Sequence, residues 1–285
     1  MSDSPHSAPN AAQIESWNAA VGHTWTQFHE QLDRQIDPLG QEALRILAAQ
    51  AGEHLLDIGC GCGQTSWQLA QHVGAGGAVL GVDVSQPMLQ VARQRADLRS
   101  PLRPQFMHGD IQLAELGSGR FDGAFSRFGV MFCADPRAAF ANVLGALKPG
   151  GRVVFVCWRA LAENTWLRVP LEAAQPFLPA TAPQDPNAPG PFALADAARV
   201  RAVLTRAGFL APVIRPFDCQ VGAGDLDASL ALALRVGPLG AVLRETPRLE
   251  ASIAPPVRAA LARHLHDGVV RMAGAAWIVS AHKPN

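Results

Sequence analysis

Residues 53–67 read EHLLDIGCGCGQTSW. An apolar run stops at an acid, Asp57, and three glycines follow within five residues, Gly59, Gly61 and Gly63, before a helical pattern begins. This is the sequence form of the first strand–turn–helix of an open α/β sheet, where ligands gather outside the carboxyl ends of the strands. Glycine permits unusual backbone angles and removes the Cβ, so a ligand can touch the main chain. The next acid at the end of an apolar run is Asp83, in GVDV, twenty residues after Gly63. A carboxylate there can accept hydrogen bonds from the vicinal hydroxyls of a ribose. The two features together predict a nucleoside-containing cofactor.

The glycine spacing sorts the cofactors. Dinucleotide sites carry G-x-G-x-x-G, whereas this loop is G-x-G-x-G with Asp57 two residues ahead of it. A carboxylate in that place opposes a pyrophosphate and suits a cationic or ammonium-bearing ligand. A P-loop G-K-[ST] is absent. The spacing therefore argues against NAD and against ATP.

Outward from the loop, short apolar runs alternate with helical patterns. Residues 54–58, 78–84, 104–110, 121–128 and 152–158 read as strands, and 64–73, 87–96 and 136–147 as helices, the last behind an Asp135 cap. Consecutive apolar positions mark strands covered on both faces, and this alternation predicts a parallel, doubly wound α/β sheet. Ahead of it, residues 1–12 read as a disordered tail. Residues 13–50 read as an N-terminal helical lid, broken at Asp37-Pro38 with Asp37 capping a new helix. The core spans 51–158. A Pro-rich, loop-rich insertion covers 159–195. The core continues at 196–221, with a helix closed by Gly208 and then a strand, and at 268–285, a strand or hairpin. A helical cap fills 222–267, with breaks at Gly237-Pro238 and Pro255-Pro256.

Composition narrows the function classes. The chain has 285 residues, 48% hydrophobic and 17% charged, with zero formal net charge. This describes a folded domain with no electrostatic call on nucleic acid or an anionic membrane. Five cysteines, an odd number without zinc-ligand spacing, read as reduced thiols, and no metal is expected. The N-terminal MSDSPHSAPN lacks the basic flank and apolar core of a signal peptide, so the cytoplasm is expected. There is no tyrosine, so a Tyr base is excluded.

In chain order, LLDIGCGCG, GVDVSQPML, HGDIQ, FDGAFSRFGVMF and LKPGGRVVFV resemble the successive motifs of class I S-adenosylmethionine-dependent methyltransferases. The match is ordered over residues 54–157, more than a third of the chain. SRFGVMF and the NTW…VP segment look like a bacterial branch related to the ubiquinone and menaquinone methyltransferases. The resemblance implies a seven-stranded sheet with the last strand antiparallel. It also implies S-adenosylmethionine as cofactor, S-adenosylhomocysteine as product and a small-molecule acceptor.

Carried over by position, the resemblance sets Asp57, Gly59, Cys60, Gly61 and Gly63 against the methionine part of the cofactor. Asp83 would hold the ribose, with Val84, Ser85 and Met88 flanking the adenine. Gly109, Asp110 and Ile111 would form the adenine edge site. Ser126 would lie beside the methyl group, and Trp17 or Trp25 would fold over the cofactor. Cys62 departs from the usual Thr, Ser or Ala, and the C-x-C pair reads as two small residues rather than a metal or redox site.

Methyl transfer from a sulfonium is an in-line displacement in which positioning does most of the work. A base is needed only for an acceptor that must lose a proton. The candidates for catalysis are His23, His29 and Arg127. Arg127 could instead bind a substrate carboxylate or pair with an acid of the lid. Phe128, Phe132 and Trp158, with Arg127, are the candidate substrate pocket. Two other readings stand beside methyl transfer: a non-catalytic S-adenosylmethionine-binding partner subunit, and an NAD-dependent oxidoreductase. A homodimer stays open.

Overall fold

In a computed structural model, residues 10–95, 102–179 and 185–285 are described. The sheet is built around β1 (His54–Ile58), which pairs in parallel with β2 (Ala78–Asp83) on one side and β4 (Phe121–Arg127) on the other. β3 (Gln105–His108) adds beyond β2, and β5 (Leu147–Trp158) beyond β4. Strand order thus reverses at β1, which places the glycine turn at the crevice of the sheet. β8 (Val269–His282) runs antiparallel between β5 and β6 (Leu210–Gly224), giving the order β3-β2-β1-β4-β5-β8-β6. An eighth, two-residue strand, β7 (Leu265–His266), pairs back on β8. Asp267 and Gly268 join them with φ of 49° and 76°, the two positive angles of a tight hairpin turn. The hairpin expected within 268–283 therefore forms with the residues before it.

Helices cover the sheet as the apolar runs require, and β5 is buried at every position from Val153 to Trp158. α4 (Gln64–Val73) follows β1. α5 (Gln86–Gln94) follows β2 behind Ser85, whose hydroxyl accepts from Met88 N. α6 (Pro136–Ala146) starts at the expected Asp135 cap, which accepts from Ala138 N. α6 packs on α8 (Ala197–Ala207), which ends at Gly208 with φ 102°.

Several boundaries differ from the sequence reading. Residues 1–9 of the expected disordered tail lie outside the described residues, but Asn10 is buried and α1 (Ala11–Asn18) begins directly after it. The stretch read as a lid divides. α1 and α2 (Ala20–Gln27) lie over the carboxyl edge, whereas α3 (His29–Leu47) packs its buried stripe of Ile36, Leu39, Ala43 and Leu47 on β5, β6 and β8. α3 also runs unbroken through Pro38, because the carbonyl its ring leaves without a donor belongs to exposed Arg34, where water can serve it. Asp37 caps nothing and instead accepts from Gln68 Nε2 at 2.9 Å.

The Pro-rich insertion contains a helix, α7 (Thr165–Ala174), that takes Pro170 into its buried face. Beyond β6, the cap holds α9 (Leu226–Ala233), α10 (Gly237–Glu245) and α11 (Glu250–Ala262). The break expected at Pro255-Pro256 falls inside α11, where the missing N–H groups face Ala251 and Ser252, both exposed. Among the described residues no single helix is long and apolar enough to cross a membrane; α9 and α10 reach that only as a pair bent by 59°.

Candidate cofactor and acceptor site

The turn after β1 is fixed from both sides. Gly59, Gly61 and Gly63 have φ of 64°, 54° and 85°, angles that a side chain disfavours. Gly59 N donates to Val82 O at 2.8 Å, tying the turn to β2. On the other side it meets the loop after β4 backbone to backbone: a Cβ on Gly59 would lie 2.6 Å from Gly129 Cα. A Cβ on Gly61 would lie 2.8 Å from Met88 Cε.

Asp83 ends β2 with both carboxylate oxygens engaged. Oδ2 accepts from Gly61 N and Oδ1 from Ser85 N, each at 2.8 Å. Burial raises its pKa, and the two backbone N–H groups pull it back. Each oxygen keeps acceptor capacity toward the cavity beside it.

That cavity runs along the carboxyl edge and opens to solvent. Cys60, Gly61, Asp83, Val84, Met88, Gly109, Asp110 and Ile111 line one end. Asp110 is oriented by Gln112, whose backbone N donates to Oδ1 at 3.0 Å and whose Nε2 donates to Oδ2 at 2.7 Å. Asn10, Gln13, Trp17 and Trp25 cover this region from the N-terminal segment. Trp17 meets Trp25 and Phe132 edge-on, with centroids 5.7 and 5.0 Å apart. Asn18 latches the cover beside Asp83. Its Nδ2 donates to Val84 O at 2.7 Å, and its Oδ1 accepts from Gln86 N at 2.9 Å. Ser85 Oγ adds a bond to Trp17 O at 2.7 Å.

The other end of the cavity is lined by His29, Leu32, Asp33 and Ile36 from α3, with Arg127, Phe128 and Phe132 from the β4 end. Arg127 donates to Asp33 Oδ1 at 2.9 Å and also bonds Gln64 Oε1, while Arg95 reaches Asp33 Oδ2 at 2.7 Å. His29 Nδ1 lies 2.7 Å from Thr26 O. A carbonyl only accepts, so Nδ1 carries a proton, and in the neutral ring the lone pair is on Nε2.

The structure therefore gathers most of the sequence candidates, and it moves five of them. Asp57 does not line the cavity. It lies under the turn, where Oδ2 accepts from Thr65 Oγ1 at 2.7 Å and Ser66 Oγ at 2.6 Å and ties β1 to the start of α4. Burial pushes its carboxyl up to about 6, and its Oδ1 has no partner. Gly63 is outside the cavity as well; its missing Cβ makes room for Ala92, 2.9 Å from where that atom would stand. Ser126 is fully buried and donates to Ile58 O at 2.8 Å. Trp158 stands behind the wall, stacked on Phe128 with centroids 4.0 Å apart. His23 is exposed on α2 and does not reach the cavity.

Asn10, Gln13, Leu32, Asp33, Ile36, Gln64, Thr65, Gly129 and Cys133 line it without having been singled out. For Gly129 a signal existed, since a glycine directly after a strand end often marks close backbone approach. Both loop cysteines, Cys60 and Cys62, are free and buried, and burial raises both thiols, Cys62 to about 12. Among the described residues, no group of three or more His, Cys, Asp or Glu is placed to hold a metal ion.

Residues 55–151 match the family described as a methyltransferase domain. The aklanonic acid methyltransferase of Streptomyces sp. strain C5 is 30% identical over 147 residues, covering 50% of this chain and 67% of that protein. The demethylmenaquinone methyltransferase of Clavibacter sepedonicus is 36% identical over 110 residues, covering 39% of this chain and 43% of that protein. The chain thus spans two thirds of the length of the first relative and under half of the second. Among solved structures, the phosphoethanolamine N-methyltransferase 2 of Haemonchus contortus, bound to phosphomonomethylethanolamine and S-adenosylhomocysteine, superposes with a TM-score of 0.55 at 17% identity. The match covers 98% of this chain and 60% of that one, and it establishes likeness of fold. Motif order, the sheet with its antiparallel β8, and these relatives agree: the chain belongs to the class I S-adenosylmethionine-dependent methyltransferases.

Proposed function

We propose that the protein transfers a methyl group from S-adenosylmethionine to a small, mainly apolar acceptor that lies at the α3 end of the same cavity. The observation that carries this reading is continuity. One continuous cavity joins the Asp83 end to a rim of Leu32, Ile36, Phe128 and Phe132. The names of the two relatives, aklanonic acid and demethylmenaquinone methyltransferases, fit a small-molecule acceptor.

The residues present fit the cofactor. Asp83 would take the ribose hydroxyls, Asp110 the adenine amine, and Ile111 and Met88 the ring faces. The glycine turn, where a Cβ would close the space, would take the methionine end against main chain. Trp17 and Trp25 would cover it. The cofactor supplies an activated methyl group; the protein's part is to orient it, exclude water and manage protons. Arg127 is tied to Asp33 and so acts as a positioning residue rather than as a receptor for a substrate carboxylate. His29 is the base for acceptors that lose a proton: Thr26 O fixes the tautomer, and Nε2 takes the proton.

The test has two stages. Calorimetric titration with S-adenosylmethionine, S-adenosylhomocysteine and NADH should give micromolar binding of the first two and none of the third. No binding of either sulfur nucleoside would remove the reading. Methyl transfer from labelled S-adenosylmethionine to a panel of phenols, amines and thiols should then find an acceptor. Binding without turnover on any acceptor would favour the non-catalytic partner subunit. With a phenol acceptor, His29→Phe should lower kcat by about 10²-fold or more while sparing cofactor affinity. An unchanged kcat would remove the base assignment.

A further inference from the structure

Among the described residues, those other than glycine with a positive φ are Ala48, Phe128, Ala211 and Asp267. All but Phe128 have an ordinary local reason. Ala48 caps the end of α3, Ala211 sits at the register shift that opens β6, and Asp267 turns the β7–β8 hairpin. Phe128 is a bulky residue at φ 68° and ψ −4°, at the ligand edge of the sheet. Glycine enters that region freely, and other side chains enter it at a cost. The backbone on either side imposes the turn. Phe128 N still pairs with β5, donating to Val156 O at 3.0 Å. Gly129 already lies against the glycine turn, where a Cβ would stand 2.7 Å from Gly59 Cα. A glycine at 128 would meet both demands without strain, so the strained phenylalanine points to a use for its ring.

That ring is held from behind. Trp158 stacks on one face of it with centroids 4.0 Å apart and 14° between the planes, and Trp166 lies against Trp158 at 5.3 Å. All three residues are buried. The backing is itself fixed. Trp158 N donates to Met131 Sδ at 3.4 Å. Asn164, fully buried and lying between the two tryptophans in sequence, donates through Nδ2 to Arg159 O, Ala160 O and Ala275 O, each at 3.1 Å. Its Oδ1 accepts from Ala275 N at 2.9 Å. Phe128 lines the cavity and Trp158 does not, so the ring meets the cavity on the side that Trp158 leaves free.

We infer that Phe128 is the specificity-determining residue of the acceptor end: backed by Trp158, its ring is a fixed, flat wall that selects acceptors with a planar aromatic ring over saturated ones of the same size. A flat ring packs against it face to face or edge to face, and the quadrupole attraction of an aromatic pair adds to the buried area. A puckered ring of equal area gains the burial alone. Because the wall is ordered before the acceptor arrives, little entropy is lost in fixing it. The inference rests on the methyl-transfer reading and narrows the class of its acceptor.

The probes are 2-naphthol and decahydro-2-naphthol, which share a carbon skeleton and a hydroxyl and differ in flatness. Each is titrated calorimetrically into the full chain saturated with S-adenosylhomocysteine. 2-Naphthol is expected to bind about 3- to 10-fold more tightly than its saturated counterpart. Phe128→Leu keeps an apolar side chain and removes the flat ring, so the two affinities should come within about twofold of each other. A role in packing alone would weaken both ligands alike and leave their ratio unmoved. Thermal melts report whether the variant folds, and the wild-type ratio decides the matter if it does not. Three results would overturn the inference while leaving methyl transfer standing: no saturable binding of 2-naphthol, a wild-type preference below about 3-fold, or an unchanged preference in the folded variant. If S-adenosylhomocysteine itself does not bind, the methyl-transfer reading fails and the acceptor wall falls with it.

Discussion

Asp83→Asn separates ligand binding from loop architecture, because the wild-type carboxylate ties two loops together and, in the proposed reading, would also hold the ribose. Its oxygens accept from Gly61 N and Ser85 N, each at 2.8 Å, so it holds the glycine turn and the turn after β2 at a fixed separation. Asparagine keeps one acceptor and turns an NH₂ toward the other N–H. One backbone donor then loses its partner, which should lower stability by about 1–3 kcal/mol. A ribose bound at the same carboxylate would lose a charge-assisted hydrogen bond of about 1.5–3 kcal/mol, or roughly 10- to 150-fold in affinity.

Weaker binding alone does not separate the two effects, since a displaced Gly61 would also weaken it. The deciding measurement is a cycle of titrations with S-adenosylhomocysteine and its 2′-deoxy and 3′-deoxy analogues, on wild type and on Asp83→Asn. If the carboxylate holds the ribose, at least one analogue should bind the wild type about 10-fold or more weakly than the parent compound. The variant should discriminate between them far less. Equal discrimination by both proteins, for both analogues, would refute the ribose assignment even if the variant binds everything poorly.

Other perturbations test other joints of the site. Gly129→Ala would place a Cβ 2.7 Å from both Gly59 Cα and Ile58 O; the two loops must part, so S-adenosylhomocysteine affinity measured by calorimetry should fall by more than about 10-fold. Asn18→Ala removes the side-chain bonds to Val84 O and Gln86 N, and stopped-flow dissociation of S-adenosylhomocysteine should accelerate about 10-fold. Asp57→Asn tests the buried carboxyl, which titrates at about 6 in the fold against a reference of 3.8. The folded state keeps that proton longer than the unfolded chain, so the group loses stability as pH rises from about 4 to about 6, by about 3 kcal/mol at most. Denaturant melts should then show the variant gaining on wild type between pH 4 and pH 7, and a gap independent of pH would remove the assignment.

What could be read in the sequence followed from local geometry. The β1 turn, the acid ending β2 and the caps Asp135 and Gly208 are each set by residues within a few positions of one another. Where the reading failed, a distant partner overrode a local rule. Pro38 looked like a helix start and Asp37 its cap, but the buried stripe of α3 carries the helix past both. Asp57 looked like a ligand to the cofactor because it precedes the glycines. Thr65 and Ser66, in the first turn of α4, claim it instead. Trp158 ends β5 at the ligand edge, yet Phe128 stands between it and the cavity.

The acceptor end was the least legible part, and its chemistry explains why. Asp33 sits in QLDRQI between the apolar positions Leu32 and Ile36, where helical spacing gives an acid no special meaning. Its role appears only when Arg127 from β4 and Arg95 beyond α5 converge on it, at 2.9 and 2.7 Å. That convergence changes what Arg127 can do. Alone at a strand end, an arginine invites an anionic substrate; paired with Asp33 and bonded to Gln64, its guanidinium is engaged and little exposed. An acceptor carboxylate would have to displace Asp33 and leave a buried acid without one of its two cations, which opposes binding. Leu32, Ile36, Phe128 and Phe132 offer the alternative, an apolar surface that asks nothing of the ion cluster. On the proposed methyl-transfer reading, the electrostatics of this end would favour neutral, apolar acceptors over anionic ones, and His29 would be the group left to take a proton.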